Sequence, residues 1–386
     1  MIGLNRRALQ VELLSVSDET SRLRKKVILL GPLPPPYGGV SVYLGALVEH
    51  LQDCGVRVWA LSGNGAAREM SERADQAVRF VNHRRLGIVP ALRAEGRGAR
   101  ILDASHFHLE YPHFLLLPLW LALKRARGFE WYKNVHDGSL PARYASFGRT
   151  RRFLFRRAVG AVTEFVVVSQ ELRRWLQDEI KVVQRVSVVP SLLPAAPRTL
   201  DAPLSAATEE KLASYLTRRR RVCAVGVFTP EYGFAHAAEA VERLRAETGE
   251  DIGLALLDGT FARDESYRAQ VLGAGRDWIT VLENVPNPEV YQIFKRSCAC
   301  VRAFAFESYG ISRVEAIWCG LPVVATSAGE TRGMLTYKFG DVEELQRQLR
   351  RALYEPPRED VAAWAEQYRR EAEGNLRAIK ETLGLG

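Results

Sequence analysis

Residues 306–326 read FESYGISRVEAIWCGLPVVAT, and this stretch decides the fold class. The run before it, CACVRAFAF (298–306), is apolar and predicts a buried strand, and the β-branched LPVVAT at its end predicts the next strand. Between the two runs, Ile311, Val314 and Ile317 recur at helical spacing. A unit of strand, loop, helix and strand is typical of parallel sheets, which bind ligands at the carboxyl ends of their strands.

Two carboxylates lie at the start of the predicted helix. Glu307 falls in the loop and Glu315 about one turn into the helix, and Gly320 is placed where a C-cap glycine belongs. The helix N-terminus near Gly310 suits a phosphate, because its free N–H groups point outward. An alternative stays open at this stage: Ser312 and Glu315 form a capping box, and Glu307 is an ordinary exposed loop acid.

The composition favours an anionic partner. The chain has 386 residues, long enough for two domains with separate cores, and its 47% hydrophobic and 26% charged residues are typical of soluble globular proteins. The net charge of +9 favours a nucleic acid, a phosphorylated ligand or an acidic membrane surface.

The cysteines and the apolar runs bear on where the protein works. The five cysteines are an odd number and lie mostly in apolar runs, which predicts reduced thiols and a cytoplasmic protein. Cys298 and Cys300 lack the spacing of a zinc site. Residues 1–24 are a polar leader without a secretory signal, and the run FLLLPLWLAL (114–123) is shorter than the roughly 18 residues that span a bilayer.

The chain reads as two successive arrays of strands and helices. VILLG, a proline-rich loop and a helix from Val40 open the first array, and Gly38 and Gly39 mark a junction where backbone can approach a ligand, or else a plain tight turn. Further strands are predicted at ASHFHLE, WYKNVHDG, FVVVSQE and SVVP. His106 and His108 alternate along the first of these, and we interpret them as structural.

These arrays predict an α/β protein with two Rossmann-like, doubly wound domains that face a central cleft. The first domain is expected at residues 25–195 and the second at 219–358. Residues 196–218, rich in Pro, Ala and Ser, are predicted to be a linker. A charged helix at 359–386 is expected to pack back toward the first domain.

The ordered motifs resemble retaining glycosyltransferases of the GT-B fold, specifically glycosyltransferase family 4. PPPYGGVSVYLGALVEHLQDCGVRV resembles the family's amino-terminal glycine loop and first helix, and NVHDG the strand end with its active-site histidine. FVVVSQELRRWL with VSVVPSLLP resembles the end of its first domain, and Glu307 to Glu315 matches its E-x7-E motif. The resemblance implies an acceptor domain followed by a nucleotide-sugar donor domain.

The resemblance also implies roles for single residues. Glu307 would orient the donor sugar and Glu315 would bind the ribose, since carboxylates accept paired hydrogen bonds from hydroxyls. His136 would lie beside the reacting sugar, and the alternative is a structural histidine at a strand end. Backbone N–H groups would face the donor diphosphate from both domains, at Tyr309, Gly310, Ile311, Gly38 and Gly39.

The chain departs from the family at two cations. The family usually has an Arg and a Lys that neutralise the diphosphate, where this sequence has Val227 and Tyr232. Losing such charge-assisted hydrogen bonds costs about a few kcal/mol of transition-state stabilisation. Arg302 and Arg332 are expected to substitute for them, with Lys338 as a third option.

The implied reaction moves a sugar from a nucleotide diphosphate to a hydroxyl with retained anomeric configuration. In the front-face path usually proposed for such enzymes, the leaving phosphate takes the acceptor's proton, and the protein supplies positioning and charge stabilisation. No D-x-D motif lies in a plausible loop, so no metal and no cofactor besides the sugar nucleotide are expected.

The segment RYASFGRTRRFLFRR (143–157) combines six arginines with three phenylalanines and has no acid. With the apolar run before it, this segment suits docking on an anionic bilayer, which fits a lipid-linked saccharide acceptor in polysaccharide assembly and a place on the inner face of the cell membrane. The alternative is a solvated basic face beside a core helix. The arginines of this predicted patch are Arg149, Arg151, Arg152, Arg156 and Arg157.

Other classes of function stay open. A sugar-nucleotide epimerase could share the two-domain architecture, and a degenerate transferase that lacks the two cations could serve as a non-catalytic scaffold. Nucleic-acid binding would explain the charge but not the pair of glutamates, so we rank it last.

Overall fold

The computed structural model describes residues 26–61, 78–81, 88–105, 117–195, 200–260, 262–273 and 275–386. The polar leader and both His106 and His108 lie outside these residues, and so does the first part of the apolar run at 114–123. None of the described helices is both long and apolar enough to cross a bilayer.

Two parallel sheets organise the described chain, as expected for two Rossmann-like domains. The first has seven strands in the order β3-β2-β1-β4-β5-β6-β7, and the second has six in the order β10-β9-β8-β11-β12-β13. The strands of the first sheet are Val27–Gly31 (β1), Arg57–Leu61 (β2), Val78–Val81 (β3), Arg100–Asp103 (β4), Glu130–Val135 (β5), Glu164–Val167 (β6) and Arg185–Val188 (β7). Those of the second are Arg220–Gly226 (β8), Ile252–Asp258 (β9), Ile279–Glu283 (β10), Ala299–Arg302 (β11), Val323–Thr326 (β12) and Leu335–Tyr337 (β13).

Helices lie between most of these strands, because neighbouring parallel strands need crossover connections. They are Gly39–Leu51 (α1), Ile88–Glu95 (α2), Leu117–Arg127 (α3), Leu140–Ala145 (α4), Arg149–Val159 (α5), Gln170–Arg174 (α6), Ala206–Leu216 (α7), Phe234–Thr248 (α8), Glu265–Leu272 (α9), Asn287–Arg296 (α10), Ile311–Trp318 (α11), Val342–Tyr354 (α12) and Arg358–Leu383 (α13). A π-helical turn, Trp175–Ile180, extends α6.

Two described segments add to the sequence predictions. A strand lies at Arg100–Asp103, just before the ASHFHLE segment (104–110), of which only Ala104 and Ser105 are among the described residues, and neither belongs to the strand. Asp103 can end a strand in the core because the indole N–H of Trp131 donates to its carboxylate over 3.0 Å and the ammonium of Lys133 lies 3.2 Å away. The predicted linker at 196–218 contains helix α7, which Ser205 caps by accepting from the Thr208 N–H.

The opening stretch folds as the strand, loop, helix and strand that its pattern predicts. Helix α11 follows Gly310, whose φ of 89° lies in the left-handed region that favours glycine. A Cβ there would also come within 2.6 Å of the Arg313 Nε. Gly320, with a φ of 75°, follows the end of the helix. The carboxyl end of β11 is thus followed, after the loop of residues 303–310, by the N-terminus of a helix.

The last helix reaches the first sheet. Ile379 and Leu383 of α13 are buried in the same cluster as Val27 and Leu29 of β1. The side-chain amide of Asn375 also donates to the Leu192 carbonyl, over 3.0 Å. Helix α13 thus begins beside the second sheet and packs with its end on the first.

Candidate active site between the two sheets

The carboxyl ends of β5 and β11 face each other across the gap between the sheets. The hydroxyl of Ser308, in the loop after β11, donates to the backbone carbonyl of His136 over 2.6 Å. A Cβ on Gly138 would lie 2.9 Å from the Ser308 Cβ. The ring of His136 packs against Tyr43 of α1, with 4.7 Å between ring centroids. The structure thus brings the predicted histidine and the loop of Glu307 together.

Glu315 lies inside this gap and does not cap its helix. The Asn287 side-chain amide and the Tyr291 hydroxyl, both on α10, donate to its Oε1 over 3.1 and 2.9 Å. The residue is 6% exposed, and burial raises the pKa of its carboxyl above the usual range. The capping-box interpretation is therefore wrong, and the carboxylate is a buried polar group held by two donors.

A cavity of about 260 Å³ separates helix α1 from helices α10 and α11, and Glu315 is part of its wall. Its size is near the lower end for small-molecule sites, which are concave and carry a few placed polar groups. Among the described residues, the hydrogen bonds to Glu315 both end on Oε1, so Oε2 is left to accept from a bound hydroxyl. The polar or aromatic lining residues are Tyr37, Tyr43, Glu49, His50, Ser191, Asn287, Tyr291, Glu315 and Trp318.

Two helix N-termini point toward the gap at the predicted glycines. Gly38 precedes α1, and its N–H donates to the Ser41 hydroxyl over 2.9 Å. Gly39 is exposed, and a Cβ there would meet no atom of the described chain within 4 Å. On the other side, Tyr309 is buried, while Ile311 begins α11 and lines the cavity. Backbone N–H groups of a first helical turn attract anions.

Glu307 is not an exposed loop acid. Its Oε2 accepts from the Arg302 Nε over 2.7 Å and lies 3.6 Å from the Arg313 Nη2, and its side chain is 8% exposed. Burial alone would raise the pKa of this carboxyl, but the two guanidiniums hold the pKa below its usual range. The structure therefore gives Glu307 two cationic partners within its own half of the protein.

The two expected substitute cations both form ion pairs within the protein. Besides Glu307, Arg302 donates to the Val225 carbonyl over 2.7 Å, and its guanidinium lies over the rings of Tyr232 and Phe304. These two rings stack with centroids 4.2 Å apart, so the position where the family has a Lys is filled by an aromatic pair.

Arg332 is tied to the last helix. Its guanidinium donates to Glu330 over 2.8 Å and to Glu371 of α13 over 2.7 Å, and it lies over the rings of Trp364 and Tyr368. Both carboxylates raise the pKa of this guanidinium. Lys338, the third option, is exposed. Arg332 thus connects the loop after β12 to α13.

Arg313 is a buried charge that sequence reasoning missed, as it missed Asn287, Tyr291 and Ser308. The Arg313 side chain is fully buried, and its Nη1 donates to the carbonyls of Ala328 and Glu330 over 2.7 and 2.9 Å. The available signal was its place in α11, one residue before the apolar Val314 and four before Ile317, where a charged side chain faces the core.

The predicted basic patch forms a surface of its own on α5. Its five arginines are exposed, and Phe153 among them has 62% of its surface exposed. The helix is joined to α4 by hydrogen bonds from Arg156 to the Tyr144 hydroxyl, over 3.1 Å, and from Arg152 to the Ala145 carbonyl, over 2.7 Å. From the same short helix α4, Arg143 forms an ion pair with Asp137, the neighbour of His136.

Among the described residues, no group of three or more His, Cys, Asp or Glu side chains is placed to hold a metal ion.

Two sequence families match the chain in succession. The family described as Glycosyltransferase Family 4 matches residues 37–192, and the family described as Glycosyl transferases group 1 matches residues 208–370. A comparison with curated proteins gave no match.

Solved structures share the fold over nearly the whole chain. The Anabaena protein Alr3699/HepE in complex with UDP and glucose has a TM-score of 0.70 at 15% identity, covering 94% of this chain and 100% of its own. A glycosyltransferase from Rickettsia africae has a TM-score of 0.69 at 14% identity, covering 93% and 98%. A trehalose-phosphate synthase from Burkholderia xenovorans has a TM-score of 0.66 at 14% identity, covering 93% and 100%.

Proposed function

The chain belongs to the GT-B glycosyltransferases of the family 4 type, and from that premise we propose that it transfers a sugar from a nucleotide diphosphate to a hydroxyl of a lipid-linked saccharide, with retained anomeric configuration. The donor would bind in the gap between the two sheets, and the acceptor would reach it from the side of the first sheet.

The observation that carries the donor proposal is the placement of Glu315 in the cavity wall. A buried carboxylate held by Asn287 and Tyr291 through one oxygen can accept from a sugar hydroxyl through the other. The N-termini of α1 and α11 offer N–H groups for phosphate on either side of the gap. Similar folds were solved with UDP-glucose and with UDP and glucose, which supports a nucleoside diphosphate as the ligand class.

The chemistry proposed for this site needs no protein nucleophile. The bond between the anomeric carbon and the leaving phosphate oxygen breaks, a bond to the acceptor oxygen forms on the same face, and the acceptor's proton passes to the leaving phosphate. His136, beside the loop of Glu307, would hydrogen-bond the sugar or the acceptor. The protein's contribution is orientation and stabilisation of the charge that develops on the phosphate.

The surface of α5 supports a lipid-linked acceptor and a peripheral place on the inner face of the cell membrane. Its exposed arginines would pair with anionic headgroups, while Phe153 would insert among them. Helix α5 is hydrogen-bonded to α4, and Arg143 of α4 pairs with Asp137 beside His136. An acceptor embedded in the membrane at α5 could therefore present its hydroxyl to the gap.

A thermal-shift panel of nucleotide sugars tests the proposal. A donor at about 100 times its dissociation constant stabilises the folded state by about 2.7 kcal/mol, and Glu315→Gln should reduce this shift. The selected donor is then incubated with membrane lipid extract in the presence of EDTA, since we propose that no metal is required. Transfer that is lost with EDTA and restored by Mn²⁺ would overturn the metal-independent part.

The same assay separates the other functions. An epimerase would convert the donor's sugar without any acceptor, which product analysis with a labelled donor detects. A scaffold would bind the nucleotide without transfer or hydrolysis. If no nucleotide sugar shifts the melting temperature, the donor proposal fails.

A further inference from the structure

Arg313 is a buried cation that the proposed roles of the site leave unexplained. Its side chain is fully buried, and hydrogen bonds to backbone carbonyls occupy Nη1. Among the described residues, its Nε and Nη2 have no hydrogen-bond partner, although Nη2 lies 3.6 Å from Glu307. Burying an ionised group is costly unless charge and hydrogen bonds compensate it.

The charges around Arg313 do not balance. Arg302 and Arg313 both lie within 4 Å of Glu307, so two guanidiniums share one carboxylate. All three side chains are nearly or fully buried. Burial lowers the pKa of Arg313, and the charge of Glu307 offsets this only in part. One surplus positive charge inside the protein favours an anion close by.

The surplus charge lies directly behind the proposed diphosphate site. A Cβ on Gly310 would be 2.6 Å from the Arg313 Nε, so the guanidinium packs against the backbone of the residue that precedes α11. The first N–H groups of α11 face away from the helix at this same point. An anion bound to these N–H groups would be attracted both by the dipole of α11 and by the Arg313 guanidinium behind Gly310.

We propose that Arg313 is a positioning residue that stabilises the donor's diphosphate without touching it. Its charge acts from behind Gly310, and together with Arg302 it fixes Glu307 in place. This inference rests on the proposed donor function. The second half of the chain has Val227 and Tyr232 where two cations are expected, yet it could still favour an anionic ligand. The positive charge would come from Arg302 and Arg313, which are buried behind the site and lie close to Glu307.

The test separates charge from packing. Calorimetry measures the dissociation constants of UDP and of uridine, with GDP and guanosine as a second pair, for the full chain and for Arg313→Met, Arg313→Lys and Arg220→Met. Met keeps the length of the side chain without its charge, whereas Lys keeps the charge. Arg220 is a matched control, because it is a half-buried arginine that pairs with Glu250 at the far end of β8.

We expect Arg313→Met to reduce the preference for the diphosphate over the nucleoside by about tenfold, which corresponds to about 1.4 kcal/mol. Arg313→Lys and Arg220→Met should preserve that preference within about threefold, a difference of well under 1 kcal/mol. If Arg313→Met weakens the diphosphate and the nucleoside by the same factor, Arg313 only supports the fold and the inference is overturned.

Two further outcomes are decisive. Should Arg313→Met fail to fold, Arg313→Lys decides alone: a preserved preference supports the inference and a lost one overturns it. If the unmodified chain binds neither nucleoside diphosphate, the proposed function itself fails and the inference falls with it. Binding by the unmodified chain with no change in the Met variant removes the inference only.

Discussion

The hydroxyl of Ser308 donates to the backbone carbonyl of His136 over 2.6 Å, and this hydrogen bond joins the second half of the protein to the first. Gly138 lies at the same contact, where a Cβ would come within 2.9 Å of the Ser308 Cβ and 3.0 Å of the Phe306 carbonyl oxygen. A Cβ closer than 3.0 Å to another atom is essentially never found, so a side chain at position 138 would force this contact to shift. At this contact, the backbone around His136 and Gly138 therefore determines how closely the two halves of the protein can approach.

Gly138→Ala should slow catalysis more than it destabilises the fold. Overpacking a tight contact costs about 1–3 kcal/mol, and here the halves can relieve it by separating slightly. Since a misplacement of about 1 Å in a reacting geometry can cost about 10²-fold, we expect kcat to fall by tenfold or more. Steady-state kinetics and thermal melting measure the two effects.

Ser308→Ala is the companion variant, because it removes the hydrogen bond without adding volume. Its kcat should fall less than that of Gly138→Ala, in keeping with the loss of one hydrogen bond worth about 1 kcal/mol. Equal kcat values for Gly138→Ala and the unmodified enzyme would show that the close approach of the two halves at this contact does not limit turnover.

Gly374→Ala should stabilise the protein. Gly374 is an exposed position in the interior of α13, and a Cβ there would meet no described atom within 4 Å. Replacing such a glycine by alanine typically gains about 0.5–1 kcal/mol, because alanine has less backbone freedom to lose on folding. Urea denaturation measures the gain, and a loss of stability would mean that this helix does not continue through residue 374 in solution.

Much of the architecture could be predicted from the sequence because buried parallel strands are uninterrupted apolar runs. The strand Arg100–Asp103 escaped prediction, since its ends are polar and its buried Asp103 depends on Trp131 and Lys133, which follow about 30 residues later. Helix α7 escaped because the segment before it is rich in Pro, Ala and Ser, although its buried Leu212 and Tyr215 fall at helical spacing.

For the candidate site, the sequence indicated which residues to expect near the gap but not the contacts that they make. Motif order indicated that His136 and Glu307 would share a gap, and the structure brings their loops together. Motif order could not indicate that Arg302 pairs with Glu307, five residues later, or that Arg332 pairs with Glu371 on α13. Ion-pair partners depend on which side chains the fold brings within about 4 Å, and single-sequence spacing does not record this.

The exposed surface of α5 should bind anionic membranes. We expect the chain to float with vesicles that contain anionic lipid and to be released by salt, because each arginine near such a surface contributes about 1 kcal/mol, which salt screens. Replacing Arg149, Arg151 and Arg157 with Gln should therefore weaken vesicle binding by about 10²-fold. Phe153→Ser should weaken it further by removing the exposed ring.

A matched triple variant tests whether place or net charge matters. Arg347, Arg350 and Arg351 are exposed on α12, in the second half, and replacing them with Gln changes the net charge by the same amount. This control should float as the unmodified protein does. If both triple variants lose binding equally, the attraction is a property of total charge and α5 is not the docking surface.

Glu315 should make both stability and donor binding depend on pH. Burial raises the pKa of its carboxyl in the folded state above the unfolded value, so the folded state binds the proton more tightly. Protonated Glu315 stabilises the fold fully below the pKa that a glutamate has in the unfolded chain, about 4.3. This stabilisation is lost as the pH rises through the higher pKa of the folded state. Glu315→Gln removes this pH-dependent contribution. As the pH rises through the folded-state pKa, the free energy of unfolding of the variant should therefore increase relative to that of the unmodified chain.

Donor affinity should change in the opposite direction over the same range, because an ionised carboxylate accepts a ribose hydroxyl more strongly than a protonated one. Asn287 and Tyr291 from α10 and Glu49 and His50 from α1 line the same cavity. The Cys319 thiol, which donates to the Tyr291 carbonyl, lies near Glu315, and Glu315→Gln leaves all five groups in place. Urea melts and calorimetry at a series of pH values measure the two trends, with the exposed Glu373→Gln as the control variant. A pH dependence that is identical in both variants would assign it to another cavity group and remove Glu315 from donor recognition.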